Sequence, residues 1–445
     1  IGPQGSGKTL DLLAPALINA PGAALTTLTK VDDLLLTFTA RSRGDRPCLV
    51  LDPFGLVPGL PEVTWDPVDG CVDPLIAERR AKAFTAGTVS GAVAGGRADD
   101  AARFYAAEAA KVLQAFLHAA ALTGRNLEHL LRWIAKPKAA TEPGEILREH
   151  PHAAPFWDGL LHAALFGDDR TAGNTITTVQ QAMSLFFQQD TRRRCTPGHG
   201  RPATDIPDII QRGGTIYLLG REDPYASASP LMTAFTEHVL DTALAEANRS
   251  PWGRLCPPFH AILDELPSTA PLPTLRTRMA NERALGISFI WAAQAWPQLA
   301  AIFGEPEART LLGLTNNLIV FGGSKDVSFN QEISDLLGQV RIRRTTYQSG
   351  AMRGRQFSAE DIPILTGPEI RQLQERHALV IAENGAPIIA KLTRCIDGRT
   401  GRHLQAEQTR LREHITTHSA AALTEMQRKT SAVTEAGRRG LTHDN

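Results

Sequence analysis

Apolar positions along the chain alternate between two periods. Over residues 8–20 they recur at helical spacing. Residues 23–29 then read as a strand, 31–41 as a helix, and 47–52 (PCLVLD) as a buried strand. This strand–helix–strand rhythm predicts a parallel sheet. From about Asp99 to Phe187 the rhythm gives way to Ala- and Leu-rich segments of 3.6-residue period, such as 104–123 and 175–187. Strand-like runs stop there, which predicts an all-helical insert. Polar, loop-like sequence follows over 190–207. Strand signals then resume at 214–219, 261–263, 287–293 and 318–321, separated by helical stretches that include 230–247 and 273–285. Residues 378–382 and 387–391 read as a hairpin. Beyond about Thr400 the pattern is polar and fits a surface helix or a partly disordered tail. The expected organisation is an α/β unit over 1–95, an all-α insert over 96–200, a second α/β part over 201–399 and a tail over 400–445.

Composition narrows this only a little. The 445 residues suffice for two or three folding units at roughly 100–200 residues each. Lys+Arg and Asp+Glu balance at 47 each, which excludes a wholly basic nucleic-acid binder but not local basic patches. Cys48, Cys71, Cys195, Cys256 and Cys395 are odd in number and far apart, so neither a disulfide framework nor a zinc site is indicated. No apolar run reaches the roughly 18–20 residues that span a bilayer.

The chemistry is concentrated in residues 2–9. Gly2-Pro3-Gln4-Gly5-Ser6-Gly7-Lys8-Thr9 is a complete G-x-x-x-x-G-K-[ST] phosphate loop. Its glycines let backbone N–H groups curl around phosphates, Ser6 lies within that cradle, Lys8 is expected to reach the β- and γ-phosphates, and Thr9 to offer its hydroxyl to Mg²⁺. The expected ligands are therefore ATP and Mg²⁺. Such a loop is delivered by a buried strand, yet only Ile1 precedes it, so the chain is read as a fragment.

A second element completes the site. Residues 259–265 (FHAILDE) form an apolar strand ending in two acids. Asp264 is expected in the Mg²⁺ shell. Glu265 is expected to orient or deprotonate water, which favours hydrolysis over transfer to a substrate. One crossover later, Gln294 falls at the carboxyl end of the neighbouring strand, where it can sense the γ-phosphate or water, although by itself it reads better as an ordinary polar residue at a strand end. Arg283 falls at the far edge of the sheet from its own nucleotide. Its two readings are an arginine finger acting on a neighbouring subunit and an ordinary surface arginine. Arg192–Arg194, and Arg341, Arg343, Arg344, Arg353 and Arg355, form basic clusters. They suit either a phosphate backbone or solvated loops.

The order of these elements resembles the conjugative coupling proteins of type IV secretion, the TraG/TraD-like family of RecA-like hexameric ATPases. It runs phosphate loop, Thr29-Lys30, Leu51-Asp52-Pro53, helical insert, GGTIY at 213–217, Leu263-Asp264-Glu265, Arg283, Gln294. Trp65-Asp66-Pro67, LLGLTNNLIVFGG at 311–323 and ISDLLG at 333–338 extend the resemblance over about residues 1–395. It implies a mostly parallel RecA-like sheet flanked by helices with an inserted all-α domain. It also implies ATP-driven export of single-stranded DNA bound to a relaxase through a type IV secretion channel, by a homo-hexamer. Carried over by position, Lys8, Glu265, Gln294 and Arg283 are catalytic, Arg283 acting in trans, and Thr9 and Asp264 hold the metal. The family is anchored by N-terminal transmembrane helices. The full-length protein is thus expected at the cytoplasmic face of the bacterial membrane, and the fragment in solution. A double-stranded DNA pump of the chromosome-segregation type is the nearest alternative. A docking receptor in which ATP acts only as a switch is another.

Overall fold

The computed structural model describes residues 1–91, 100–198, 200–220, 227–347 and 355–440. At its centre is a five-stranded sheet made of β1 (Ala24–Leu28), β2 (Cys48–Leu51), β3 (Thr215–Leu219), β4 (Phe259–Leu263) and β5 (Ile287–Trp291). Their order is β2-β3-β1-β4-β5, and every neighbouring pair is parallel. The five carboxyl ends therefore share one edge, where ligands of open α/β sheets bind.

The strands are apolar on both faces, as fully covered parallel strands must be. Successive residues alternate between two cores. On one face Leu25, Ile216, Leu218, Phe259, Ala261 and Leu263 join the main hydrophobic cluster. On the other, Ala24, Leu28, Tyr217, Leu219 and Ile262 pack with Leu13 and Leu17 after the phosphate loop and with Leu34, Leu35 and Phe38. The helix Val31–Arg41 is pinned to the sheet by its last residue. Buried Arg41 donates from Nε to Thr215 and from its terminal nitrogens to the carbonyls of Ala20 and Gly22.

The helical region begins earlier than its sequence suggests. A helix runs over Pro74–Gly91, ahead of Asp100–Leu122. The expected start at Asp99 falls just outside the described residues. The earlier helix is rich in Ala, Gly and Thr and is packed between Asp100–Leu122 and Ser229–Arg249, so it carries no clear one-sided stripe. The region does not stand apart from the sheet. Val112, Leu113, Phe116, Leu130 and Phe186 lie in the same cluster as Leu25 and Phe259.

Residues 190–207 are only partly the expected loop. Gln189–Cys195 is a helix that carries Arg192, Arg193 and Arg194 in its last turn. Its buried positions, Thr191 and Cys195, are four apart, and the three arginines between them mask this helical spacing in the sequence. Ile206–Gln211 is a further short helix, capped by the Asp205 carboxylate.

Beyond β5, β6 (Asn317–Phe321), β9 (His377–Ala382) and β10 (Ile388–Lys391) form an antiparallel sheet in the order β10-β9-β6. The 378–391 hairpin is thus as expected. Between them β7 (Gln339–Tyr347) and β8 (Arg355–Pro363) make a two-stranded antiparallel ribbon. The basic residues around 341–355 are therefore on strands. Arg341 faces Asp361 at 3.7 Å and Arg344 bonds Glu360 at 2.9 Å, so part of this charge is neutralised across the ribbon. Arg353 lies outside the described residues. The tail is a helix, Gly398–Gly440. Leu404 and Ile415 are buried, Arg412 pairs with Asp32, and Gln408 donates to the Asp32 carbonyl at 2.8 Å. Among the described residues no helix is long and apolar enough to cross a membrane.

Candidate functional site

The phosphate loop lies at the shared carboxyl edge. The Gly2 N–H donates to the Ala293 carbonyl at 3.1 Å, just past β5. The Ile1 carbonyl accepts from Phe321 N–H at 3.0 Å, and the Ile1 amino group donates to Ile319 at 2.7 Å. Residues 1–2 therefore sit between β5 and β6. Gly5 and Gly7 have φ of 80° and 95°, a region open to glycine and costly for other residues. Gly2 has no room for a side chain, since a Cβ would lie 2.8 Å from Phe321 and from the Ser6 hydroxyl. The loop then enters a π-helical turn, Lys8–Leu13, before the α-helix Ala14–Ile18.

Four expected site residues meet there. The Thr9 hydroxyl donates to Asp264 Oδ2 at 3.0 Å, across 255 residues of sequence. Lys8 Nζ lies 3.9 Å from Glu265 and donates to the carbonyls of Gly2 and Pro3, the latter at 3.1 Å. Asp264 ends β4 and is held by its backbone. Its carbonyl accepts from Thr27 and Thr269, each at 2.9 Å. Its other carboxylate oxygen, Oδ1, accepts from Glu265 N–H at 3.0 Å. Glu265 itself has φ 51°, a strained value for a non-glycine residue that costs on the order of 1–3 kcal/mol. Strain of this kind concentrates at working sites because it aims a side chain.

The electrostatics follow from burial. Desolvation pulls the Lys8 ammonium below its ordinary range, opposed by Glu265 and Asp264. Desolvation raises the Asp264 carboxyl, opposed by Thr9 and Lys8. Asp33 is pushed up to about 6, mainly by burial, against the pull of Lys30. The Ser6 hydroxyl is buried within the loop with no hydrogen-bond partner.

Gln294 follows β5 and lines a broad cleft of about 1460 Å³ together with Pro3 and Gln4. Its N–H donates to the Gln298 side chain at 3.3 Å. Arg283 stands apart. It is exposed, in the short turn Arg283–Leu285 that leads into β5, at the opposite end of that strand from Ala293. It shares with Lys8 a cleft of about 430 Å³ that runs along β5 and β6. Two residues near the loop escape sequence reasoning, Asp11 and Arg394, which pair at 3.7 Å. Asp11 left one signal, an acid inside the apolar run that follows Lys8. Arg394 left none, because its position depends on where the chain folds back after β10.

A parallel sheet with a phosphate loop and acidic strand end at one edge, and a helical region packed on one face, is the architecture of a P-loop α/β protein. Residues 258–375 match the family model described as the TraM recognition site of TraD and TraG. Among solved structures, the chain is similar to the bacterial conjugative coupling protein TrwB in its unbound monoclinic form. That likeness has 21% identity and a TM-score of 0.65, covering 90% of this chain and 85% of that one. TrwB with the non-hydrolysable ATP analogue ADPNP matches at 21% identity and TM-score 0.62, over 88% of this chain and 84% of that one. TrwB with ADP and Mg²⁺ matches at 18% identity and TM-score 0.56, over 86% and 88%. No match is found among curated protein sequences. Over residues 258–375 the chain thus matches the TraD/TraG family model, and over most of its length it has the fold of TrwB.

Proposed function

We propose that this chain is the ATP-hydrolysing motor of a conjugative coupling protein. The observation that carries the reading is the 3.0 Å contact between Thr9 and Asp264, which closes the phosphate loop onto the acidic strand end. A hydroxyl and a carboxylate beside a phosphate loop are the oxygen donors Mg²⁺ takes when substrate phosphates and water complete its shell. The buried, unpartnered Ser6 hydroxyl and the side-chain-free cradle at Gly2, Gly5 and Gly7 fit a bound phosphate. The TrwB complexes with ADPNP and with ADP and Mg²⁺ support the same ligands.

When bound, MgATP supplies the γ-phosphoryl group that water attacks. Lys8 neutralises charge on the phosphates. Asp264 and Thr9 hold the metal, Glu265 orients the water, and Gln294 senses the outer phosphate from the adjoining strand. Arg283 is exposed and lies at the opposite end of β5 from Ala293, a placement that supports service to a neighbour in a ring, a homo-hexamer by family resemblance. The work is export of relaxase-bound single-stranded DNA through a type IV secretion channel. The match over 258–375 supports docking of conjugation partners on this part of the chain.

Single-stranded DNA is expected to raise the ATP turnover of the assembled protein. Turnover indifferent to DNA, in a protein that binds none, would sink the reading. Subunits carrying Arg283→Ala, mixed with subunits carrying Lys8→Ala, are expected to recover part of the activity that each lacks alone. Flat activity at every mixing ratio would count against the trans role.

A further inference from the structure

The turn after the phosphate loop carries a charge that nucleotide binding does not use. Asp11 lies within Lys8–Leu13, and its side chain is 0% exposed. Neither carboxylate oxygen has a hydrogen-bond partner. The group lies directly beneath the loop, because a Cβ built on Gly7 would sit 2.5 Å from Asp11 Oδ2. A buried anion against Gly7 works against the binding of a polyphosphate in the loop.

The compensating charge comes from the other end of the chain. Arg394 Nε is 3.7 Å from Asp11 Oδ1. Arg394 belongs to the segment after β10 that crosses the turn, where Cys395 N–H donates to the Leu10 carbonyl at 3.0 Å. Its guanidinium is fixed by Glu375 at 2.8 Å. Neighbouring Arg376 pairs with Asp397, and Asp397 N–H in turn donates to the Arg394 carbonyl at 3.0 Å. The segment is thus braced on both sides of Arg394.

We propose that Arg394 is a positioning residue for the nucleotide site. By neutralising Asp11 beneath Gly7, it keeps the phosphate loop able to accept a triphosphate and ties the segment after β10 to that loop. This rests on the nucleotide-binding reading above. The guanidinium contacts of Arg394 are with Asp11 and Glu375. It acts through Asp11, so removing Asp11's charge is expected to make Arg394 dispensable.

The test is a charge cycle in the full chain, with affinity for a Mg²⁺-loaded non-hydrolysable ATP analogue measured by calorimetry. Arg394→Ala is expected to weaken binding about tenfold, and Asp11→Asn in that background to restore it within about twofold. Arg394→Lys is expected to stay close to the unmodified protein, because the contact is between charges and not a hydrogen bond. Without nucleotide, Arg394→Ala is expected to lower the melting temperature, and the added Asp11→Asn to bring it back. Equal affinity in Arg394→Ala, or a loss that Asp11→Asn does not relieve, overturns the proposal alone. Failure of the unmodified chain to bind the analogue overturns the nucleotide reading and this proposal together.

Discussion

Lys8→Ala should abolish ATP turnover, with a loss of at least about 10²–10³-fold, the effect of deleting one preorganised charge donor from a reacting centre. Lys8 is 7% exposed, and its ammonium is held between Glu265 and the loop carbonyls. Deleting it removes the cation that offsets phosphate charge and leaves Glu265 facing those phosphates without relief. Nucleotide affinity should therefore fall together with turnover. Glu265→Gln should behave differently. The amide keeps the shape and removes the base, so binding should persist while turnover falls about 10²–10⁴-fold. Equilibrium binding of a fluorescent ATP analogue, paired with steady-state hydrolysis, separates the two. Equal binding loss in both variants would contradict the roles assigned to them.

Arg278→Ala should be the most damaging substitution for the fold, costing about 3–5 kcal/mol, the range for stripping one partner from a buried ion cluster. Arg278 is 5% exposed. Its guanidinium bonds Glu237 at 2.7 Å, Asp241 at 2.5 Å and Glu282 at 2.9 Å. Burial works against its charge, but the three carboxylates outweigh it and hold the guanidinium above its usual range. Removing it strands Glu237 and Glu282, both 5% exposed, in the interior between Ser229–Arg249 and Leu275–Asn281. A lowered urea midpoint is the expected result. An unchanged midpoint would mean that water reaches the cluster. Glu282 immediately precedes Arg283, so the same variant should also disturb the approach to β5.

Much of this architecture was legible because it is repetitive. The runs at 24–28, 48–51, 215–219 and 259–263 are short and apolar, and parallel strands covered on both faces have to be. The phosphate loop and the pair Asp264–Glu265 were legible because their chemistry tolerates few alternatives. The helix Pro74–Gly91 was not. Its buried positions are largely small, Ala77, Ala81 and Ala83, while Leu75 and Ile76 are exposed, so no one-sided apolar stripe stands out. Gln189–Cys195 was hidden by three consecutive arginines. The pairing of Asp11 with Arg394 could not be read at all, since it depends on a segment returning after the 378–391 hairpin.

The contact between Thr9 and Asp264 also sets a timetable. During synthesis the phosphate loop emerges before its acidic partner, which follows 255 residues later. At about 5–20 residues per second, the wait is on the order of tens of seconds. For most of that interval Leu13 and Leu17 have no Tyr217 to pack against, and for nearly all of it no Ile262, because β3 and then β4 have yet to be made. A nascent chain of this protein therefore carries an unfinished nucleotide site and a partly covered apolar helix until the ribosome has passed β4, and that interval is when a chaperone has most to shield.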